Sequence, residues 1–542
     1  MAKMQPYRPI STPSTLLVRA RRILRLLALS LVFAALSGCG TDAAQAPASG
    51  GAAGASGTAG HSGNAPDQGD SGSSGDSGSA GDAGSAGDAG SAGDTGSAGQ
   101  GGEGGGEPLD LKFPDRFVIK VQAQSNGSLL VLLDEPLDMR VNFGSPQREL
   151  LLLNARGQRL ASVAASTSSR FLLDFAIHPS DDVSVLYSSA SEYSLERFNA
   201  EGQSIGESAL SDSQIDEDPP INHGTPSAAV ESLTRDAGRV AAFGEQLLVA
   251  TRTGRHSVIA QRFGFFNAGA GAAFHAEWRT LVVPPFSMAA IGLQGGSYDT
   301  FSAVQAQAML QLAVDRAGTI YVAVQHPRLA EANLIKAHAK VFGETLVGDP
   351  DALDLYVTRI APSGTRIGTT VVGTAEDDQL FGLRGGQDSA LVIGRKEYWN
   401  EHGTGFDALV ARLSGKTGAL EVRELDVERS DLAFDAVELT DGSWLVTGAS
   451  GWQQNPSGAS VSEESQAFLS RVSESGALSP ILLPSGPRHN EGRTLLPLGL
   501  GRWLVGGMTD GPGTHSGDAD ASLVRAAGFL HELRLDPESD TD

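Results

Sequence analysis

"DGSWLVTGAS", residues 441–450, is a polar turn that runs straight into an apolar strand, and the phrase recurs along the chain. It returns as "NGSLLVLLDE" (126–135), "DDVSVLYSSA" (181–190), "GEQLLVATRT" (244–253), "AGTIYVAVQH" (317–326), "QDSALVIGRK" (387–396) and "GRWLVGGMTD" (501–510). A second phrase follows most copies: a strand with an arginine, an apolar residue, a few polar positions and a glycine. It reads "SLERFNAEG" (194–202), "YVTRIAPSG" (356–364), "LVARLSGKTG" (409–418) and "FLSRVSESG" (468–476). "LLLLNARG" (150–157) has Leu152 in place of the arginine, "HELRLDPES" (531–539) lacks the glycine, and "SVIAQRFGF" (257–265) matches poorly. Each phrase is two strands meeting at a tight polar turn, which is hairpin chemistry.

With an inner strand ahead of each first phrase, the unit is four antiparallel strands. Seven such sheets set radially bury one another's faces and leave only short edges. The pattern therefore predicts an all-β body over 108–542, a β-propeller of about seven four-stranded antiparallel blades. The repeats average roughly 62 residues against ~40–50 in the familiar blade repeats, so the excess falls in loops. The last unit has room for a third strand but little for a fourth. "PLDLKF" (108–113), just before the inner strand "RFVIKVQ" (116–122), is placed to supply it and close the ring. Trp444 and Trp503 occupy equivalent positions and are expected to pack between blades. Arg197, Arg359, Arg412 and Arg471 are expected on strand surfaces, paired with neighbouring carboxylates.

The repeats resemble the loosely defined bacterial propeller repeats of secreted proteins, the SBBP and delta-60 types, best over 357–535. The resemblance rests on D/G-x-W-L-V-x-G and R-I/L/V-x-x-x-G. It implies a fold and brings no catalytic residue with it.

Upstream the chemistry changes. Residues 1–25 carry Lys3, Arg8, Arg19, Arg21, Arg22 and Arg25 and no acid; an apolar run, Leu26–Leu36, follows. Positive, apolar, small is the order of a secretory signal. The run is shorter than the ~20 residues a spanning helix needs. Leu36-Ser37-Gly38-Cys39 resembles the lipobox of bacterial lipoproteins. That resemblance implies a signal peptide over 1–38 and a lipidated, palmitate-type modified Cys39 at the mature terminus. It further implies anchoring to a membrane of the cell envelope, with Gly40 favouring the outer membrane. Cys39 is the only cysteine, so no disulfide forms within the chain.

Residues 39–107 are a Gly/Ser/Ala/Asp tether in which Asp70, Asp76, Asp82, Asp88 and Asp94 recur every six residues. A calcium-binding β-roll needs nine-residue spacing and an apolar residue in each turn. Lacking any branched apolar or aromatic residue in this repeat, the segment cannot offset its ordering entropy. As a Gly-rich coil it should span roughly 45 Å, from ~5–6 Å × √n. Its composition resembles the tethers of myxobacterial lipoproteins.

The net charge is −24, and loss of the six basic residues of the signal makes it −30. Such a surface repels phosphate backbones, so no nucleic acid is expected as partner. "GQSIG" (202–206) has the letters of a nucleophile elbow but lies in a hairpin turn with no helix after it. H-E-x-x-H and a phosphate-binding glycine loop are absent. No cofactor is expected. Calcium is the one ion for which the loops "IDEDPP" (215–220), "DPDALD" (349–354), "AEDDQ" (375–379) and "SGDADAS" (516–522) offer oxygen ligands, and none is a complete calcium loop.

In a four-stranded blade, the loop between strands two and three opens on the same face as the link to the next blade. Here those are the long segments 325–353, 395–407, 449–466, 507–521, 207–237 and 285–307. Long loops on one rim of a rigid scaffold are where recognition sits. Two of them mix aromatic and polar groups, "KEYWNEHGTGFD" (396–407) and "GWQQNPSGAS" (451–460). Tyr398, Trp399, His402 and Trp452 could stack on a sugar ring or an apolar patch while Glu401, Gln453 and Gln454 bond its edges. The same aromatics could instead pack their own loops. The leading functional expectation is a non-enzymatic envelope lipoprotein whose propeller binds a protein or polysaccharide. The alternative is a propeller enzyme, a lyase or glycan hydrolase, with carboxylates and a histidine such as His402 or His515 in the central funnel. A pure spacer is the third reading. The lining of the axis discriminates between the first two.

Overall fold

The computed structural model describes residues 108–135, 147–189, 192–210, 237–252, 258–268, 271–283, 310–325, 342–345, 347, 355–373, 378–400, 403–425, 427, 431–451, 465–473, 478–483, 489–511 and 527–535. Cys39, the tether, Glu401, His402, Trp452, Gln453, Gln454 and His515 lie outside them, as do three of the four acidic loops and most of "AEDDQ".

Strand β1 (Asp110–Pro114) comes first and belongs to the last sheet. Blade one holds β2 (Phe117–Ala123), β3 (Leu129–Asp134), β4 (Glu149–Leu153) and β5 (Arg159–Ala165). Blade two holds β6 (Phe171–Ile177), β7 (Val183–Ser188), β8 (Tyr193–Phe198) and β9 (Ser204–Leu210). Blade three holds β10 (Gly238–Phe243), β11 (Gln246–Arg252), β12 (Val258–Ala268) and β13 (Gly271–Val283). Blade four holds β14 (Leu310–Val314), β15 (Ile320–Gln325), β16 (Leu355–Ile360) and β17 (Arg366–Val372). Blade five holds β18 (Asp378–Gly385), β19 (Ser389–Asn400), β20 (Gly403–Ser414) and β21 (Leu420–Leu425). Blade six holds β22 (Leu432–Glu438), β23 (Trp444–Ser450), β24 (Gln466–Val472) and β25 (Leu478–Leu482). Blade seven pairs β26 (His489–Gly499), β27 (Arg502–Gly511) and β28 (Ala527–Arg534) with β1. Every pairing within the sheets is antiparallel, as the repeat predicts.

The repeated "LV" strand is apolar throughout because both of its faces are buried. In β3, Leu130 and Leu132 join Phe175 and Val185 of blade two, whereas Val131 and Leu133 join Leu504 and Leu530 of blade seven. One apolar cluster of this kind fills each of the seven blade interfaces. Each fully buried Leu or Val contributes ~1.5–3 kcal/mol. Trp444 packs between blades five and six, and Trp503 between six and seven. The glycine of L-V-x-G has its own cause. A Cβ on Gly394, Gly448 or Gly507 would run into the backbone carbonyl of Gln379, Leu432 or Glu491 on the inner strand opposite. There the inner strand carries a β-bulge, which brings its backbone close. Gly364, the turn glycine of the second phrase, has φ +87°, and a Cβ there would stand 2.7 Å from the Trp278 ring.

The repeated arginines tie the turns together. Arg197 bonds Asp182 of its own blade at 3.0 Å and Glu245 of the next at 2.8 Å. Arg412 reaches Glu421 and, at 2.9 Å, Glu438 of blade six, and Arg471 pairs with Asp441. Arg359 departs from the expected carboxylate pairing: it is buried and donates to the Gly415 carbonyl of blade five at 2.8 Å.

Between β1 and β28 the register runs from Asp110 opposite His531 to Pro114 opposite Ala527. The Glu532 amide donates to the Leu109 carbonyl at 2.8 Å, and the Leu109 amide to Glu532 Oε2 at 3.1 Å. Leu109, Leu111 and Phe113 pack on the cluster between blades seven and one. The N-terminal strand therefore closes the ring.

Two hairpins outgrow their sheets. Residues 395–400 and 403–407, expected within a loop, are strand: β19 and β20 stay paired to Asn400 opposite Gly403, past the last β18 pair at Asp378–Lys396. At the other end, β12 and β13 run five residues beyond Phe263, the last residue of β12 paired with β11, or roughly 16 Å at ~3.3 Å per residue. The remaining turns at that end are short, for example 315–319 and 361–365. Deleting residues 108–113 removes the closing strand and is expected to lower the thermal unfolding midpoint by well over ~5 °C. An unchanged midpoint by calorimetry would refute closure by β1.

Candidate functional site

The seven inner strands β2, β6, β10, β14, β18, β22 and β26 stand next to one another around the axis. At one level each contributes a single residue: Lys120, Asp174, Arg239, Gln311, Gly382, Asp435 and Thr494. The register fixes this equivalence, because they face Leu132, Leu186, Ala250, Ala323, Ile393, Thr447 and Gly506 of the second strands.

Six of the seven side chains carry polar groups, and bonds between blades run the whole way round. Lys120 Nζ donates to Asp174 Oδ1 at 2.8 Å and to the Phe175 carbonyl at 2.7 Å. Asp174 Oδ2 accepts the Val240 amide of blade three at 3.0 Å. Arg239 Nε donates to Gln311 Oε1 at 3.1 Å, and Gln311 Nε2 to the Phe381 carbonyl of blade five at 2.9 Å. Gly382 has no side chain to continue the ring, and a Cβ there would stand 2.6 Å from the Phe434 carbonyl. Arg384, two residues on, does so instead: its Nη1 donates to Asp435 Oδ2 and to the Leu495 carbonyl of blade seven, both at 2.8 Å. Asp435 Oδ2 also accepts the Leu495 amide at 2.7 Å. Thr494 Oγ1 accepts the Val121 amide at 3.4 Å and returns the ring to blade one.

These groups are half-buried or buried. Lys120 and Arg384 keep 27 % and 28 % of their side chains exposed, against 6 % for Asp174 and 15 % for Asp435. Burial pulls the Arg239 guanidinium down to about 10; Asp174 opposes the fall and nearby Arg148 adds to it, so it stays charged at neutral pH. Arg148 is itself tied to Asp134 at 2.9 Å and to the Leu173 carbonyl at 2.7 Å. Nearby, Phe381 and Phe434 lie 4.9 Å apart. Arg493 sits over Phe434 at 5.1 Å and over Phe117 at 5.0 Å while bonding Glu491 at 2.6 Å. An aromatic and cationic shelf thus crosses blades five, six, seven and one.

The lining is neither an apolar plug nor a set of converging free carboxylates. Asp174, Asp435 and Glu491 are each paired with a cation. Tyr398 and Trp399 stand in β19, opposite Gly405 and Thr404, on the hairpin that extends from blade five. Among the described residues, no group of three or more His, Cys, Asp or Glu side chains is placed to hold a metal ion. The axial ring is not visible in the repeat pattern. In some inner strands its signal is a polar residue that interrupts an apolar run, Lys120 in "FVIKVQA" and Asp174 in "FLLDFAI".

His178 lies away from the axis, in the first turn of blade two. Its Nε2 is 2.7 Å from Ser184 Oγ and its Nδ1 3.4 Å from the Gly244 carbonyl. Ser184 is fully buried, so the pair is a structural bond with no access for a substrate.

No family model matches the sequence, and no curated protein sequence matches it. Solved structures that are similar in part include the following three. A protein from Lactobacillus plantarum is 11 % identical, with 72 % of this chain and 88 % of that one covered and a TM-score of 0.34. A Bacteroides caccae protein of unknown function is 11 % identical over 62 % of this chain and 90 % of its own, with a TM-score of 0.28. A structure from a study of two prolyl endopeptidases is 10 % identical over 78 % of this chain and 51 % of its own, with a TM-score of 0.31. The chain's own strand pairing defines its class: the body is a closed seven-bladed β-propeller.

Burial, and next the Arg197 charge, lower the His178 pKa from 6.5 to about 4, against the smaller opposing pull of the Gly244 carbonyl and Glu245. The unfolded chain therefore binds a proton that the folded chain refuses. Stability from this group is complete above pH 6.5 and falls as pH drops toward 4, by at most about 3 kcal/mol. Urea unfolding should show this slope in the wild type and a flatter one in His178→Gln. Equal slopes would contradict the assignment.

Proposed function

We propose that the protein is a non-enzymatic lipoprotein of the cell envelope that presents a propeller to a protein or polysaccharide partner. The fold itself supports a binding or scaffold role. What carries the reading is the position of the chain's entry. Each third strand runs from the long-connection end to the short-turn end, and β1 lies antiparallel to β28, with Asp110 beside His531. Asp110 therefore stands at the short-turn end, opposite the strand ends joined by 326–354, 452–464 and 512–526. The chain ahead of Asp110 thus enters the body at the end away from the strand ends that those connections join. A multiply acylated cysteine, at ~0.8 kcal/mol per buried CH₂, holds such a body firmly at a membrane, here assigned to the outer membrane.

The β19–β20 hairpin with Tyr398 and Trp399 rises at the same end as the strand ends joined by 326–354, 452–464 and 512–526; with Glu401 and His402 between its strands in sequence, and Trp452 and Gln453 in the 451–460 segment of blade six, it is the proposed contact surface. Rigid aromatics bind sugar rings or apolar patches at low entropic cost. Labelled palmitate should enter the wild-type protein and fail to enter Cys39→Ala. On arrays of envelope glycans and envelope proteins, the full mature chain should bind a defined subset, and Trp399→Ala or Trp452→Ala should weaken that binding at least roughly tenfold, as for interface hot spots. Arrays with no specific signal would reject the binding role, whereas an unlabelled wild-type chain would reject only the anchor.

A further inference from the structure

Donors and acceptors on the axial ring do not balance. Asp174 takes three donors: Lys120 Nζ, the Phe175 amide and the Val240 amide. Asp435 likewise takes the Ala436 amide, the Leu495 amide and Arg384 Nη1. Each carboxylate offers about four acceptor positions, so little is left over. The cations are different. Lys120 uses two of its three N–H groups, on Asp174 and Phe175. Arg384 uses only Nη1, on Asp435 and Leu495, and among the described residues its Nε and Nη2 bond nothing.

The unused edge of Arg384 is chemically specific. Nε and Nη2 form the planar fork that grips two oxygens of one carboxylate or phosphate. The Arg384 side chain is 28 % exposed. Charge points the same way. Lys120, Arg239 and Arg384 face Asp174 and Asp435 on the ring, an excess of one positive charge inside a chain of net −24. Arg384 reaches the Leu495 carbonyl, and the neighbouring residue Thr494 bonds Val121, beside Lys120. Arg384 thus reaches from blade five to blades six and seven with its Nε–Nη2 edge left over.

We propose that the axis binds a small oxyanion, a carboxylate or phosphate group, on the spare Nε–Nη2 edge of Arg384. This site is separate from the long-connection surface and stands or falls without it. Calorimetric titration of the full chain with sodium phosphate and with D-glucuronate tests it, using chloride at matched ionic strength and neutral glucose as controls. Saturable binding of at least one anion is expected, and whichever one binds identifies the source chemistry. Arg384→Gln should weaken it roughly tenfold or more, the scale of one charge-assisted pair, while Arg502→Gln, which removes a cation on the second strand of blade seven, should not. If Arg384→Gln fails to fold, Arg384→Lys keeps the charge toward Asp435 but loses the fork, and should also bind more weakly. Heats equal to the chloride control for both anions, or wild-type affinity in Arg384→Gln and Arg384→Lys, would overturn the proposal.

Discussion

Asp435 accepts the Leu495 amide and the Arg384 guanidinium at one oxygen, and that shared contact holds three consecutive blades at the axis. Bonds of the same kind at Asp174, Gln311 and Thr494 carry the connection round the ring. The apolar clusters supply most of the stabilisation, since area burial dominates folding. Apolar contact has no direction, however, and would tolerate small slides of one sheet over the next. Charge-assisted bonds to backbone amides have direction, so they set the register of neighbouring blades.

Closure adds a topological constraint. Because β1 is covalently continuous with blade one and hydrogen-bonded into blade seven, those two blades cannot part without losing a strand pairing. An open stack of sheets could lose its terminal blades one at a time, as repeat arrays do. The bulges of β2, β6, β18, β22 and β26 serve the same end. They tighten the local twist where the inner strands crowd the axis. In blades five to seven they also leave no space for a Cβ at Gly394, Gly448 and Gly507.

Much of this architecture was legible in the letters. The "LV" strand repeats because its environment repeats: both faces are buried in every blade, and Trp444 and Trp503 fill equivalent gaps. The missing fourth strand of blade seven pointed to 108–113, and β1 is there. The axial ring was not legible, for a physical reason. Its members are Lys120, Asp174, Arg239, Gln311, Gly382, Asp435 and Thr494, seven positions filled by six residue types, because each must complement its neighbour rather than copy it. Repeat detection discards that kind of information. The 395–407 hairpin was misread for a related reason: Glu401, His402 and Gly403 look like loop composition, yet cross-strand pairing carries β19 to Asn400. Arg359 shows the limit of analogy between blades, since it shares the repeated position but bonds a carbonyl.

A binding surface that relies on several blades works only if the blades do not shift against one another. Held by the axial bonds and by β1, the ring opens as one unit. Native-state hydrogen exchange at the Val121, Val240 and Leu495 amides tests this most directly, since each is held by a side chain of a neighbouring blade. All three should exchange only through global unfolding, with equal opening free energies that fall in parallel as denaturant is added. A graded series, with one blade interface opening well below the global value, would contradict it.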